Sequence, residues 1–471
     1  MNVIIWGFAD IASRQAVFRL INNHEINLKK WFLTEKYKEE FNDLAEAEYA
    51  FTRFLENYEG TKLENVPLEI IKYIDSNTRI LEVNFARDMY FYGKPSYELL
   101  NVIHIVSRYY YTVLKKNDVQ LVMFGDVPHN GWMLTLYYVA EAMKIRTFFC
   151  GPSRINNHFM AAFSLKDYGT YKEVPEYNSS IKKVDIEKKI ENNWFDMSDK
   201  WLKEARHENV EHKWKAFIKP NEWLRERREI ITNNKLKYGG WGRALQKKLI
   251  ETIGRKIDEI NYKKSYNKIV LDNVDLSVPY VYYPLHLQPE MTTDVLGGMY
   301  TNQMLLLEKL SELIPDDWVI YAKEHPLQTA YMRGEYFFKQ LSLLPKVKLV
   351  SNKMDTYELN RHSKFVSTLV GTTGWEAISG GKNTLIFGQA WYGCLPGVFH
   401  YHQGITLDEI MNYKIDHDEF EQAVSRLMRK MGNGIVSDDQ IPSISNFDVK
   451  RNNENVYEYL SFIVDFVSKE V

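Results

Sequence analysis

The stretch 369–378 reads Leu-Val-Gly-Thr-Thr-Gly-Trp-Glu-Ala-Ile, an apolar run that stops at small and hydroxyl residues before a helical pattern. Two further runs stop in the same way, Ala-Lys-Glu-His-Pro at 322–326 and Thr-Leu-Ile-Phe-Gly-Gln-Ala-Trp-Tyr at 384–392. In an open α/β sheet, such stops fall at the carboxyl ends of strands, where ligands bind. The stretch therefore predicts a parallel α/β domain, and its Gly-Thr-Thr-Gly loop suits a phosphate.

Alternating strand and helix patterns surround this stretch and predict a Rossmann-like domain over 271–440. A second set of alternating patterns predicts another such domain over 1–165, where an apolar run at 120–124 stops at Gly-Asp and a helical pattern follows. Residues 29–110 of that domain look mostly helical, with a strand predicted at 79–83.

The two predicted domains are separated by residues 166–270, which lose the alternation and look like long polar helices. Residues 441–471 predict a terminal helix that packs back across both domains. The predicted fold class is therefore α/β, with two Rossmann-like domains facing a cleft and a helical insertion between them.

Composition indicates how much core the chain can bury and which cellular compartment suits it. The chain has 471 residues and 45% hydrophobic residues, enough for two sizeable cores. Its two cysteines, Cys150 and Cys394, form no disulfide framework and fit a reducing cytoplasm. The first residues do not resemble a signal peptide, and no apolar run is long enough to span a membrane. We expect a cytoplasmic protein, with attachment to the inner face of the membrane as an alternative.

The predicted insertion is strongly basic. Residues 201–270 contain 18 Lys and Arg against 9 Asp and Glu, a net charge of +9 in a chain of net charge −2. This asymmetry suits an anionic partner such as a membrane surface, or else a solvated helical surface. No nucleic-acid motif accompanies the charge, so no nucleic-acid partner is expected. An apolar stripe recurs at helical spacing, and we expect it to pack on its own domain, with membrane binding as the alternative: Leu245, Leu249, Ile250, Ile253, Ile257 and Ile260.

His325 and Pro326 are the first candidates for chemistry. Proline restricts the residue before it to extended conformations, so His325 should be held firmly at a strand end beside Lys323. An imidazole in that place can donate a hydrogen bond to a departing phosphate or protonate it. The alternative is a histidine that only caps a turn.

The loop Gly371-Thr372-Thr373-Gly374 is the second candidate. Its small residues allow an anion to approach the backbone, and the hydroxyls add donors. The alternative is a tight turn capped by threonine. Glu376, one turn into the helix, could bind a ribose hydroxyl or complement the helix dipole.

Two further strand ends carry polar residues. Gln288 and Glu290 follow the strand predicted at 278–285. Gln288 could bind the nucleotide, and the carboxylate of Glu290 could do acid/base work or bind sugar hydroxyls. Asp126 and His129 follow the strand at 120–124, where the carboxylate could be a nucleophile or a general base, or could cap the next helix. No metal-ligand spacing is present, so we expect neither a metal nor a cofactor.

Together these motifs resemble the bacterial capsule polysaccharide biosynthesis proteins, which include transferases of Kdo and related ulosonic acids. The His-Pro motif and the hydroxyl loop also resemble those of bacterial sialyltransferases. The resemblance covers about 278–400. It is carried by the ordered set Gln288, Asp294, Lys323, His325-Pro326, the loop 371–374 with Trp375-Glu376-Ala377, and Phe387-Gly388 with Trp391-Tyr392.

The resemblance implies a metal-independent GT-B glycosyltransferase that takes an acidic sugar from a CMP-sugar. The acceptor would be an oligosaccharide or a lipid-linked glycan of the bacterial surface. Its donor site would then include His325, Thr372 and Thr373 at the phosphate and Glu376 at the ribose, and it would be lined by Gln288 and Glu290. Lys323 or Arg361 would meet the donor carboxylate.

The resemblance also implies that Asp126 is the carboxylate on the acceptor side. The Thr-Thr pair and the spacing from Gln288 to Asp294 differ from the family pattern, so the donor stays open among Kdo, sialic, legionaminic and pseudaminic acids. The alternatives are a UDP-sugar transferase or epimerase of the same architecture, and a non-catalytic capsule assembly or export factor.

Overall fold

The computed structural model contains two compact α/β units. The first combines Met1–Lys182 with Ser425–Val471, and the second is Lys183–Val424. The structure describes residues 1–49, 62–88, 91, 93–153, 155, 157–181, 241–288, 290–328, 330, 333–444 and 446–470. The predicted α/β class with two Rossmann-like domains is confirmed.

The first unit is built on a seven-stranded sheet with five parallel strands in the order β3-β2-β1-β4-β5, followed by β6, which is antiparallel to β5, and β13, which is antiparallel to β6. The chain moves outward from β1 to β3 and then returns to β4 on the other side of β1, so the switch point lies between β1 and β4. Its strands are β1 (Asn2–Trp6), β2 (Asn27–Phe32), β3 (Ala47–Glu48), β4 (Leu121–Phe124), β5 (Arg146–Pro152), β6 (His158–Ala162) and β13 (Gly432–Asn433).

Helices cover this sheet, and one of them lies where the sequence predicts a strand. The strand predicted at 79–83 is wrong, because that segment lies in a helix whose Leu81 and Phe85, one turn apart, are both fully buried. The helices that precede the terminal one are α1 (Arg14–Asn22), α2 (Leu68–Ser76), α3 (Thr78–Arg87), α4 (Ser96–Lys116) and α5 (Gly131–Ala142). Helix α5 is buried along nearly its whole length and contacts α2, α3 and α4.

The end of the chain completes the first unit. The terminal helix α14 (Val449–Ser468) packs against α1, and β13 pairs with β6. Asn452 connects these parts, since its side chain donates to Ala12 O at 2.7 Å and accepts from Ile435 N at 2.8 Å. The division therefore differs from the predicted boundaries: everything from Ser425 onward belongs to the first unit, whereas 271–440 was the range predicted for the second domain.

The second unit contains a six-stranded sheet in which every strand is parallel to its neighbours, in the order β12-β11-β10-β7-β8-β9. The chain runs outward from β7 to β9 and then crosses to β10 on the other side of β7. The switch point of this sheet therefore lies between β7 and β10. The strands are β7 (Tyr280–Pro284), β8 (Val319–Lys323), β9 (Val347–Val350), β10 (Phe365–Thr368), β11 (Thr384–Ile386) and β12 (Val398–His400).

The helices of the second unit connect these strands around a core that includes Tyr280, Tyr282, Tyr321 and Leu359. They are α6 (Trp241–Ile269), α7 (Met291–Leu296), α8 (Gln303–Leu313), α9 (Glu335–Leu341), α10 (Thr356–His362), α11 (Thr372–Ser379), α12 (Leu407–Asn412) and α13 (His417–Arg429), the last of which continues into the first unit.

Helix α6 does not pack as the sequence predicts. Tyr262 and Tyr266 pack on Phe338 of α9, with ring centroids 5.2 and 6.1 Å apart. The isoleucines of the predicted stripe that the structure describes are exposed instead: Ile253, Ile257 and Ile260. The side chains of 241–252 and the predictions for 182–240 lie outside the described residues. The stripe is therefore not buried on its own domain at the three positions described, because two tyrosines form that contact.

Candidate functional site

The residues predicted to form the donor site lie at or near the carboxyl ends of the strands of the second sheet, which we call the strand-end edge. Strand β7 is flanked by β10 and β8, and the three are parallel, so their carboxyl ends stand side by side. The loops that follow them begin at Leu285, Glu324 and Leu369. This edge includes the switch point, which is where ligands bind in sheets of this type.

His286 joins the loop after β7 to the loop after β10. Its Nε2 accepts a hydrogen bond from the backbone N–H of Val370 at 3.3 Å and lies 3.2 Å from Thr368 Oγ1. A Cβ on Gly371 would be only 2.8 Å from that Nε2, so the loop requires glycine for this approach. Burial, the neighbouring His325 and Arg333 lower the pKa of His286 to about 3. The imidazole is therefore neutral near pH 7, with its proton on Nδ1.

His325 lies just past the end of β8 and is half-buried. Its Nδ1 accepts a hydrogen bond from the backbone N–H of Leu327 at 3.2 Å. Burial and the charge of Arg333 lower the pKa of His325 to about 4, while the carboxylate of Glu290 opposes that shift. A neutral imidazole that accepts at Nδ1 has its proton on Nε2, so His325 can offer a donor to a ligand.

A buried ion pair fixes both histidines in place. The side chains of Arg333 and Glu324 are 0% and 2% exposed and form a direct ion pair. Arg333 also donates to the carbonyl oxygen of His286 at 2.6 Å, and Glu324 accepts the backbone N–H of His325 at 2.7 Å. The guanidinium further stacks over the Phe337 ring at 4.7 Å. One ion pair thus sets the relative positions of the two loops.

Three glutamines hold the loop after β7 in its shape. The backbone N–H of Gln288 donates to Gln328 Oε1 at 2.9 Å, and Gln328 Nε2 donates back to Gln288 O at 2.7 Å. Gln303 donates to Gln288 Oε1 at 2.8 Å and accepts from the backbone N–H of His286 at 2.8 Å. The side-chain Nε2 of Gln288 donates to Thr301 O at 2.8 Å. Gln288, predicted to bind nucleotide, is thereby engaged in supporting its own loop.

Glu290 caps a helix. Its Oε2 accepts from the backbone N–H of Thr293 at 3.0 Å and lies 3.2 Å from Thr293 Oγ1. In return, Asp294, which is 1% exposed, accepts the backbone N–H of Glu290 at 3.1 Å. This reciprocal arrangement stabilises the start of α7. The structure therefore shows a capping contact for Glu290, with an electrostatic influence on His325.

Lys323 and Glu376 lie inside the unit. Lys323 is 8% exposed and donates to Met354 O at 2.6 Å and Thr356 Oγ1 at 2.7 Å, which ties β8 to the start of α10. Burial lowers the pKa of Lys323 to about 8, with Asp355 and Glu376 opposing the shift. Glu376 is 4% exposed. The structure thus packs both side chains in the interior, although the sequence predicts that they contact a ligand.

The predicted phosphate loop forms the start of a helix. Gly371 is the N-cap of α11, and the helix begins at Thr372 and Thr373, which are half-buried. Tyr392 donates to Gly371 O at 2.5 Å, and a Cβ on Gly374 would lie 2.1 Å from that tyrosine oxygen. The first-turn N–H groups of a helix lack intrahelical acceptors. The loop can therefore present N–H groups and hydroxyls to an anion.

In the first unit, Asp126 and His129 are brought together at the end of β4. Asp126 Oδ1 accepts the N–H of Val127 at 2.7 Å, and its Oδ2 is 3.7 Å from His129 Nδ1. The two side chains are 36% and 27% exposed. The cap of α5 is Asn130, which accepts from Met133 N at 2.9 Å, so Asp126 does not cap that helix.

The start of the first unit also has the strand–glycine–helix order of nucleotide-binding domains, but the loop before its helix already binds a carboxylate of the chain. The carboxylate of Asp438 accepts the N–H groups of Ile11 at 3.2 Å and Ala12 at 3.0 Å. Asp10 in turn accepts the N–H of Asp438 at 3.1 Å. A carboxylate of the chain itself therefore occupies the backbone N–H groups of the loop that leads into α1.

Within the described part of the chain, no group of three His, Cys, Asp or Glu residues is arranged to hold a metal ion. The described helices include none of the length and apolarity that crossing a membrane requires.

Comparisons with known proteins agree with the family that the motifs indicate. Residues 230–409 match the family described as capsule polysaccharide biosynthesis protein. The resemblance is thereby confirmed for this part of the chain, which contains the strand ends of His286, His325 and Thr372. No curated protein matches the sequence.

Solved structures similar to the chain have low identity. KpsC of Thermosulfurimonas dismutans, a beta Kdo 2,7 transferase, is 11% identical with a TM-score of 0.32, over 85% of this chain and 98% of that chain. UDP-GlcNAc 2-epimerase of Neisseria meningitidis is 13% identical with a TM-score of 0.26, over 100% of each chain. Anabaena HepE with UDP-glucose is 12% identical with a TM-score of 0.25, over 98% of this chain and 100% of that chain.

Proposed function

We propose that the protein is a glycosyltransferase of capsule polysaccharide biosynthesis. It transfers an acidic ulosonic or nonulosonic sugar from a CMP-sugar to an oligosaccharide or lipid-linked glycan, without a metal. The observation that supports this most is the family match over 230–409, because that range includes the whole strand-end edge with His325 and the loop Gly371–Gly374.

The donor phosphate is assigned to two groups of this edge. His325 is neutral and has its proton on Nε2, so it stabilises the departing CMP by a hydrogen bond. Thr372 and Thr373 at the start of α11 add hydroxyls and first-turn N–H groups. A CMP-sugar has a single phosphodiester as its leaving group, with less charge than a nucleoside diphosphate, which suits a site of neutral donors.

Asp126 is the proposed acceptor-side carboxylate. In an inverting reaction the acceptor hydroxyl loses its proton to this carboxylate while its oxygen bonds to the sugar and the bond to CMP breaks. In a retaining reaction the carboxylate first bonds to the sugar while the bond to CMP breaks. The acceptor hydroxyl then displaces the carboxylate from the sugar and gives its proton to the released carboxylate. Its exposure and the nearby His129 support the assignment.

Nucleotide release from a panel of activated sugars tests the proposal. The chain is incubated with CMP-Kdo, CMP-sialic acid, CMP-legionaminic acid and CMP-pseudaminic acid, and separately with UDP-GlcNAc and UDP-glucose. We expect CMP from at least one of the first four. Release of UDP alone would identify a UDP-sugar enzyme, and no release with any donor would identify a non-catalytic capsule factor.

A further inference from the structure

Helix α6 has one face packed against the second unit. Tyr262 and Tyr266 contact Phe338, and the Tyr262 hydroxyl lies 3.4 Å from Glu324 Oε2. Glu259 on the same side accepts the N–H of Ala330 at 3.5 Å. These contacts fix the orientation of the helix and leave its opposite face away from the body of the unit.

The opposite face exposes three isoleucines. Ile253, Ile257 and Ile260 are 51%, 53% and 65% exposed. At 100° per residue they fall within an arc of about 60°, on the side of the helix away from Tyr262. Single exposed apolar residues are common on protein surfaces, but a row on one helix face marks a contact surface. We call this row and the lysines beside it the α6 face.

The lysines of the α6 face identify the chemistry of its partner. Lys264 falls within the isoleucine arc, and Lys256 and Lys268 border it; all three are exposed. Among the described residues of α6, Asp258 and Glu259 lie on the other half of the helix. The face therefore combines apolar and positive groups, and the surrounding segment 201–270 has a net charge of +9.

We propose that the α6 face docks on an anionic membrane surface. The helix lies in the plane of the surface, the isoleucines enter the boundary between headgroups and acyl chains, and the lysines meet the negative headgroups. An apolar row flanked by lysines fits anionic lipid better than a second copy of the chain, because two α6 faces would place like charges together. This inference goes beyond transfer chemistry and does not depend on the donor.

Co-sedimentation of the full chain with vesicles tests the docking. Vesicles of phosphatidylglycerol and phosphatidylcholine are compared with phosphatidylcholine alone, at about 0.1 M and about 0.5 M salt. We expect binding to the anionic vesicles only, and weaker binding at high salt. The variant Ile253→Ser/Ile257→Ser/Ile260→Ser should lose at least tenfold in affinity. The variant Lys256→Gln/Lys264→Gln/Lys268→Gln should also lose at least tenfold in affinity for the vesicles. Each lysine contributes about fivefold at most.

Matched changes elsewhere on the same unit control for general surface effects. Leu343→Ser removes an apolar side chain that is 73% exposed, and Lys364→Gln removes an exposed charge; both should bind vesicles as the unchanged chain does. Absence of binding by the unchanged chain, or equal binding by the isoleucine variant, would overturn the proposal. A concentration-dependent dimer that the isoleucine variant abolishes, without vesicle binding, would instead assign the face to self-association.

Discussion

The two histidines of the sheet edge are neutral for the same reason but have opposite tautomers. His286 accepts at Nε2 and His325 accepts at Nδ1, so their protons lie on Nδ1 and Nε2 respectively. Both have pKa values lowered mainly by burial, to about 3 and about 4. Near neutral pH, His325 can therefore donate a hydrogen bond from Nε2, whereas protonating a phosphate requires an imidazolium, which the lowered pKa of His325 disfavours.

We expect both histidines to lack an imidazolium signal at pH 6. Nitrogen-15 NMR of histidine-labelled protein, assigned through His286→Asn and His325→Gln, should show the two tautomers. Because both pKa values lie below the ordinary value near 6.5, the unfolded chain binds protons that the folded chain does not between pH 6.5 and 4. As the pH is lowered through that window, the free energy of unfolding should therefore decrease, by at most about 1.4 kcal/mol per pH unit for each histidine. An imidazolium at pH 6 would contradict this.

Removing the His325 imidazole should slow transfer. His325→Ala deletes the Nε2 donor to the departing phosphate, and we expect turnover in the CMP-release assay to fall at least tenfold, about 1.4 kcal/mol of barrier. His402→Gln, an exposed histidine of the same unit, is the matched control and should leave turnover unchanged. An unchanged rate in His325→Ala would make His325 a structural turn residue.

At the residue scale, the sequence predicts positions at strand ends but not the direction of each side chain. His325 and the Gly-Thr-Thr-Gly loop are visible because an apolar run stops there. Lys323 has the same signature, yet it reaches across to the start of α10 inside the unit. Arg333 and Gln303 have no local signature, since their partners come from other loops and only the folded chain brings them together.

The start of α11 depends on a close contact with Tyr392. In Gly374→Ala the new Cβ would lie 2.1 Å from the tyrosine oxygen and 2.9 Å from Thr384 Cγ2, so the helix start must shift. Overpacking of this kind costs about 1–3 kcal/mol, and alanine returns roughly 1 kcal/mol of helix propensity, so we expect the free energy of unfolding to fall by up to about 2 kcal/mol. CMP binding should weaken about tenfold by calorimetry.

Gly254→Ala controls for the gain in helix propensity, because a Cβ at that position of α6 meets nothing within 4 Å. That variant should be unchanged or slightly more stable. Unaltered stability and CMP affinity in Gly374→Ala would show that the phosphate loop tolerates a shift of the helix start.

At the element scale, the parallel strands of the second unit are the most predictable, because each is a short apolar run bounded by polar residues. The first unit is harder. Strand β2 is buried at Leu28, Trp31 and Phe32, a spacing of three and four residues that imitates a helix. The helix α3 contains Ile-Leu-Glu-Val, which imitates a strand, and only its packing through Leu81 and Phe85 decides the matter.

At the scale of the whole molecule, the first unit depends on both ends of the chain. Asn452 bonds the loop before α1 and the segment after β13, so Asn452→Ala should leave buried backbone groups without partners. We expect a loss of about 2–4 kcal/mol in the free energy of unfolding of the first unit, measured by urea denaturation. CMP binding by the second unit should be unchanged.

Glu454→Gln is the matched change on the same helix. Its partner Arg19 is 44% exposed, and solvent screens such surface pairs, so they contribute little to stability. Equal effects of the two variants would contradict the role assigned to Asn452. The sequence cannot predict this closure, because residues more than four hundred positions apart are joined by single side chains.

The glutamines around Gln288 have a practical consequence for assays. Amides carry no charge, so neither ionic strength nor proton concentration alters the bonds among Gln288, Gln303 and Gln328. The Arg333–Glu324 pair is buried and is screened far less than surface charges. The geometry of the strand-end edge should therefore stay constant across a salt titration. Any ionic-strength dependence of activity then reports on surfaces such as the α6 face or on the charged substrates themselves.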